Sequence, residues 1–596
     1  MTLRYAIRPL DPHAHLFESR LRIEVPDPAG QRVSLPVWIP GSYMVREFAR
    51  HVVRIEARCA GRAVRLVKLD KHAWRAARCA GPLELRCVVY AWDLSVRAAH
   101  LDATHAFFNG TSVFLRADGH EAARCELEIG PPQGDGAWRD WRVATTLPAA
   151  SVDPGGFGLY AARDYDELVD HPVEIGAWAH VRFRAGGAEH DVHVTGRHDA
   201  DLARLAADLK RVCATQIALF EPDTERAPVD RYAFLLTVTG DGYGGLEHRA
   251  STALLASRAS LPWRGMPDVG DDYRRLLGLA SHEYFHTWHV KRIRPAALAR
   301  YDYSAEQYTR LLWVFEGFTS YYDDLTLVRS GLIDAPTYLR GLAETLDSVL
   351  RAPGRFVQSV AESSFDAWIK YYRPDENSPN AVVSYYAKGA LVALALDLAI
   401  RQRTRGTRSL DDLMRLLWRR HGRGFFDDPQ GVDEDALPAL MREASGLDLS
   451  REIERWAHGT ADLPLAELLA PFGVAATRAR GTTGASLGAR VAQRGGDLTV
   501  SACLSDGAAQ RAGLSAGDAL VAIDGVRATE AVLKAALVRR RPGQAVSITA
   551  FRRDELMSFE VALGPPEPGA TTLAPAARPS ASARRLLAGW LGPHAG

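Results

Sequence analysis

The pattern of apolar and polar positions changes character several times along the chain. Up to about residue 186 the two alternate in short runs such as Leu21-Arg-Ile-Glu-Val25 and Leu83-Glu-Leu-Arg-Cys-Val-Val-Tyr90, separated by turns such as Asp27-Pro-Ala-Gly30. A period of two predicts strands with one buried face, so this part reads as a β-sandwich or a saddle-like sheet. His190–Thr195 and Tyr232–Thr239 continue as strands, the second running into a glycine-rich loop. Between them Leu202, Leu205, Leu209, Val212 and Ile217 recur on one side of a helix over Asp201–Phe220. From Gly270 to about 460 the pattern is helical, and 480–564 returns to short strands with glycine turns. Pro565–Ser582, rich in Pro, Ala and Ser, predicts a flexible linker, and the following Arg584–Trp590 is expected to dock weakly if at all.

Within the helical part, one helix carries His282 and the next carries Glu316. Ser304-x-x-Gln307 is a capping-box pattern that predicts where the second one starts, and Gly331 stands where a C-terminal glycine cap belongs.

Composition narrows this picture. A chain of 596 residues exceeds what one hydrophobic core serves, so several domains are expected. Basic and acidic side chains number 73 and 72, which leaves no basic surplus for nucleic acid. Six cysteines without a C-x-x-C pair predict neither a zinc finger nor a disulfide framework, and no disulfide is expected among Cys59, Cys79 and Cys87. The longest apolar run, Gly389–Ile400, is interrupted by Asp397 and is too short to span a bilayer. The first residues contain no apolar secretory segment, so a cytoplasmic location is the expectation.

His282-Glu-Tyr-Phe-His286 supplies the candidate chemistry. Residues four apart on a helix share a face, so both imidazoles can reach one metal ion, and Glu283 can take a proton from a bound water. Leu276, Leu277 and Leu279 just before it give the segment its helical setting. A catalytic zinc takes a third protein ligand and keeps a fourth position open. Glu316 is a carboxylate in the otherwise apolar Trp313-Val-Phe-Glu-Gly-Phe, where a buried charge needs a cation or an ion pair. His289, three residues past His286, competes for that ligand role and is read as a neighbour of the site.

Ser281–Pro295 together with Trp313-x-x-Glu-Gly-Phe-Thr-x-Tyr-Tyr322 resembles the glycyl aminopeptidase family of gluzincin metallopeptidases. Trp38-Ile-Pro-Gly-Ser-Tyr-Met-Val-Arg-Glu-Phe-Ala-Arg50 is similar to the signature of that family's N-terminal domain. Asp164-Tyr-Asp-Glu-Leu-Val-Asp-His-Pro172 is similar to the segment leading into its catalytic domain. His289 departs from the asparagine expected in relatives. The resemblance implies a multidomain α+β chain: an N-terminal β-rich domain (1–186), a thermolysin-like, mainly α catalytic domain (187–476), a PDZ domain (477–564), then linker and tail (565–596). It further implies one Zn2+ per chain on His282, His286 and Glu316, with Glu283 as general base.

The resemblance also assigns substrate contacts. Gly244-Gly245-Leu-Glu247 matches a glycine-rich exopeptidase motif, in which the backbone pairs with an extended peptide and Glu247 binds its free α-ammonium. Without the family this stretch is a glycine turn with a surface glutamate. In Ser384-Tyr-Tyr-Ala-Lys-Gly389 the tyrosine two residues before Lys-Gly, Tyr386, is the implied oxyanion donor, with Tyr385 as the alternative. Ala512–Gly525 resembles a PDZ core, which places Leu487 and Gly488 near the loop that binds a C-terminal peptide ligand. The expected activity is removal of glycine or alanine from a peptide with a free N-terminus. A broader hydrolase on the same scaffold and a PDZ scaffold with a vestigial metal site are the competing readings.

Overall fold

The computed structural model describes residues 1–133, 138–479, 481 and 484–592. They form two compact units. One comprises Met1–Tyr308, Tyr322–Ile333 and Met414–Asp433; the other comprises Thr309–Tyr321, Asp334–Leu413 and the chain from Glu434 onward.

In the first unit the alternating segments form an eight-stranded sheet and two four-stranded sheets. Thr2–Asp11 lies within the large sheet, antiparallel to Leu16–Ile23 and parallel to Arg124–Ile129. Its buried positions Leu3, Tyr5 and Ile7 face a core with Phe17, Leu85, Phe108 and Phe114. Contrary to expectation, Cys59 and Cys79 form a disulfide across a sequence separation of 20, while Cys87 is a buried free thiol. Spacing alone did not show it because a hairpin and a loop from different sheets bring the two thiols together. A loop of that length is worth about 3 kcal/mol through the unfolded chain.

The same unit holds a five-stranded sheet ordered Ala179–Ala185, Ala188–Thr195, Arg231–Thr239, Ser251–Ser257, Tyr243–Glu247. Its first strand precedes residue 187, so the sheet begins before the domain boundary read from the pattern. The helix Leu202–Phe220 starts on Asp201, whose carboxylate accepts from the Arg204 N–H. The glycine-rich loop after Thr239 is short, holding Gly240 and Gly242, whereas Gly244 and Gly245 belong to Tyr243–Glu247, an edge strand antiparallel to Ser251–Ser257. An edge strand presents backbone groups to any extended chain that pairs with it.

The helix Leu312–Arg329 is continuous, with its residues to Tyr321 in the second unit and those from Tyr322 in the first. It begins well after Ser304. Ser304 and Gln307 instead hold a turn, both bonding to Asp302. Gly331, at φ +69°, ends it as expected.

The second unit is built on Ala387–Arg403, a helix with buried residues on every side. The segment expected to be a linker is ordered. Thr571–Pro575 pairs with Val474–Arg478, and Thr571 donates twice to Asp347. The helix Ala581–Leu591 docks through Trp590, which is fully buried and donates to the Tyr321 hydroxyl, itself donating to Asp397. Composition hid this because a Pro/Ala/Ser run still carries apolar anchors such as Leu573 and Trp590. Residues 593–596 of the expected tail lie outside the described residues. The PDZ sheet, from Ala489–Arg494 to Glu555–Ala562, has its own core, and Asn380 bonds to its Cys503 carbonyl and Ser505 N–H, each at 2.8 Å.

Candidate active site

The helix Asp271–Phe285 opens with Asp271 and Asp272, which suit its positive end, and packs Leu276, Leu277 and Leu279 into the core. His282 and His286 follow on one face with ring centroids 4.7 Å apart. Each imidazole is oriented through Nδ1. His282 Nδ1 lies 3.2 Å from Asp323 Oδ2, and His286 Nδ1 lies 2.7 Å from the His289 carbonyl. Anchoring through Nδ1 is the arrangement that, in a metal-binding histidine, fixes the tautomer and raises the basicity of Nε2. The helix stops at Phe285, so His289 sits in a turn and not on the helical face inferred from spacing. What reaches His286 is its backbone oxygen; its ring is buried.

Glu283 is buried beneath the edge strand. A Cβ built on Gly245 would stand 2.0 Å from Glu283 Oε1, so only glycine lets the strand pass over that carboxylate. Glu247, at the end of the same strand, is 4% exposed, and its Oε1 has no hydrogen-bond partner among the described residues. Gly41, at φ +91°, closes on it from the N-terminal segment; a Cβ there would lie 2.4 Å from Glu247 Oε2. Glu247, Glu283 and His286 each offer a ligand atom within 4.8 Å of the others. Two buried carboxylates this close need either a cation between them or a proton on one of them. Arg97 donates to the Gly245 carbonyl at 3.4 Å.

A buried charge network adjoins these residues and explains two of the long motifs. Asp170 Oδ1 takes Lys291 Nζ at 2.8 Å and faces His248 Nδ1 at 3.1 Å, while its Oδ2 takes Arg249 Nε at 3.1 Å. Against the cost of burial, Lys291, His248 and Arg249 hold the Asp170 carboxyl well below its usual range. Asp170 thus ties the Asp164–Pro172 segment to the residues after the H-E-x-x-H helix and after the edge strand.

In the second unit, Glu316 is 2% exposed on the helix Leu312–Arg329. Asp323 follows it by seven residues, two turns along the same face. Burial, and next the Glu316 carboxylate, push the Tyr386 hydroxyl well above the ordinary phenol range. Tyr386 stands at the start of Ala387–Arg403, bonded to the Tyr372 hydroxyl at 3.1 Å. Tyr385 is fully buried and packs its ring on Tyr386 at 4.7 Å. Asp323, Arg97 and Tyr372 did not stand out in the sequence, although Asp323 carried a signal in its seven-residue spacing from Glu316; Gly41 lay within the Trp38–Arg50 signature but without a role assigned to it.

In the PDZ domain the Leu487 side chain belongs to the core, so only backbone at Leu487 and Gly488 is left to face a ligand. The Leu487 carbonyl accepts from Ala509 and that of Gly488 from Leu504.

A helix bearing H-E-x-x-H with both imidazoles oriented, a buried glutamate beside them and a glycine edge strand overhead define a zinc-dependent peptidase. The donors suit zinc in kind: two imidazoles and carboxylates. The family models agree: the M61 peptidase N-terminal domain matches residues 4–177, the M61 glycyl aminopeptidase 275–392 and a PDZ domain 485–563. The chain belongs to the M61 glycyl aminopeptidase family. A solved structure from Idiomarina loihiensis, described as an aminopeptidase N family protein, is 40% identical over 99% of this chain and 100% of its own, with a TM-score of 0.93. An M1 zinc metallopeptidase from Deinococcus radiodurans is 13% identical over 78% of this chain and 95% of its own, with a TM-score of 0.49. No curated protein matches the chain. No described helix is long and apolar enough to cross a membrane.

Proposed function

We propose that this metalloaminopeptidase removes small N-terminal residues, glycine or alanine, from peptides, with one catalytic zinc per chain on His282, His286 and Glu316. His282 and His286 share one helical face, and Glu316 stands on the same helix as Asp323, which faces His282; both support the assignment. Bound there, zinc supplies Lewis acidity toward the scissile carbonyl and an acidified water.

The protein's own groups account for the rest. Glu283 takes the proton of the attacking water and delivers it to the leaving amine. The substrate backbone adds to Tyr243–Glu247 as a further strand at Gly244 and Gly245, and its α-ammonium pairs with Glu247. Tyr386 donates to the oxyanion, the neighbouring Glu316 being the reason to prefer it over Tyr385. The single observation that carries the exopeptidase reading is the 4.8 Å grouping of Glu247, Glu283 and His286. An ammonium held by Glu247 leaves about one residue before the carbonyl that Glu283 serves. The close approach of Gly41 favours a small first side chain. For the PDZ domain the matching proposal is a C-terminal peptide added to Ala489–Arg494.

The test is hydrolysis of aminoacyl anilides by the full chain. Glycyl and alanyl substrates are expected to be fastest, N-acetylated ones inert, and Glu283→Gln to lose about 10²–10⁴-fold in kcat with zinc retained. Cleavage of the acetylated substrates would overturn the aminopeptidase reading, and equal rates across side chains would overturn the narrow specificity.

A further inference from the structure

Two groups of two histidines and an aspartate occur in the first unit on elements other than the H-E-x-x-H helix: His100, Asp102, His105 and His180, Asp191, His193. Their electrostatics differ. Asp191 already carries Arg182 at 2.7 Å and Arg231 at 2.8 Å, so a dication there would meet two guanidinium groups. Among the described residues, no lysine or arginine forms an ion pair with Asp102; only His100 and His105 approach it.

We propose that His100, Asp102 and His105 form a second transition-metal site, zinc being the ion their donors suit best. The hairpin builds it locally. Ala99–Leu101 pairs with His105–Phe108 so that His100 faces Phe107. His105, two residues from Phe107, therefore shares the face of His100. Asp102 sits in the connecting turn and holds its shape, Oδ1 accepting from the N–H groups of Thr104 and His105.

The distances suit one ion. His100 Nε2 lies 3.3 Å from Asp102 Oδ2 and His105 Nδ1 lies 3.8 Å from Oδ1. Adjacent donors of a tetrahedral zinc with bonds of about 2.1 Å stand about 3.4 Å apart. The imidazoles are 4% and 6% exposed; His105 Nδ1 also faces the Thr104 hydroxyl at 3.2 Å, and the opposite ring nitrogens, His100 Nδ1 and His105 Nε2, are buried without a partner among the described residues. Such groups ordinarily have one. Asp102, partly exposed, supplies the negative charge and the route to solvent. The Trp92 ring lies against that of His100, with centroids 5.0 Å apart and planes tilted by 32°. With three protein donors, water completes the coordination.

The test counts zinc in full-length protein stripped with a chelator, reloaded and freed of excess ion. The His282→Ala, His286→Ala variant removes the peptidase ligands and is expected to keep about one zinc per chain. Adding His100→Gln and His105→Gln to it should lower binding at least about tenfold. On the wild-type background the same two glutamines should leave hydrolysis unchanged. No zinc in the first variant, or undiminished zinc in the second, overturns the site. Should the glutamines prevent folding, anomalous scattering at the zinc edge from wild-type crystals decides. A peak between His100, Asp102 and His105 supports the site, and a map without one refutes it. Because the count uses protein lacking His282 and His286, failure of the peptidase reading does not affect it.

Discussion

Asp323 shows how much a residue outside the H-E-x-x-H motif can matter to it. Its carboxylate faces His282 Nδ1 at 3.2 Å and belongs to the helix that carries Glu316. It orients the ring and makes Nε2 a better donor. Asp323→Asn keeps the shape and loses the charge. Zinc affinity, read by competition with a chromophoric chelator, should fall about 10–100-fold, with the fold intact by circular dichroism. Affinity within a factor of two of wild type would show that Asp323 is a packing residue. At this scale the ligand candidates were legible because H-E-x-x-H is local. Asp323 and the His289 carbonyl were not, because their roles depend on how the chain turns after Phe285.

At the scale of elements, the edge strand Tyr243–Glu247 and the helix Asp271–Phe285 work as a pair. Gly245 exists so that Glu283 can lie against the strand: a methyl group there would need the carboxylate or the strand to move, because their separation would be 2.0 Å. Gly245→Ala is expected to lower kcat/KM about 100-fold with zinc content unchanged, since small displacements of a catalytic group are costly. Steady-state kinetics alongside metal analysis checks this, and a variant as active as wild type would show that the strand has room for a methyl group there. Glycine-rich sequence suggested a loop here because glycine is rare in strand interiors. The strand forms because its partner Ser251–Ser257 is buried and needs a hydrogen-bonded neighbour.

At the scale of the whole molecule, stability has a pH signature from a group far from catalysis in sequence. Glu174 is fully buried, bonded to the Thr195 hydroxyl at 2.9 Å, and burial pushes its carboxyl from 4.5 up to about 8. It is therefore protonated in the folded protein at neutral pH, whereas in the unfolded chain it ionises near 4.5. A folded pKa raised in this way makes the contribution complete below 4.5 and progressively lost as pH rises toward about 8. Over that window wild type should lose about 1.4 kcal/mol per pH unit relative to Glu174→Gln. Denaturant unfolding of both proteins at several pH values measures the difference, and parallel curves would refute it.

The sequence by itself determined what is carried by period and by contiguous motif. These are the change from β-rich to helical to β-rich, the H-E-x-x-H helix, the glutamate on the following helix and the PDZ core. Neighbours along the chain suffice for these, since a helical turn or an alternating strand brings them together. Tertiary structure alone decided the Cys59–Cys79 disulfide, the burial of Trp590 in a tail that composition marked as a linker, and the closing of Gly41 on Glu247. Each joins segments distant in sequence, and each rests on burial and exact distance, which local pattern does not encode.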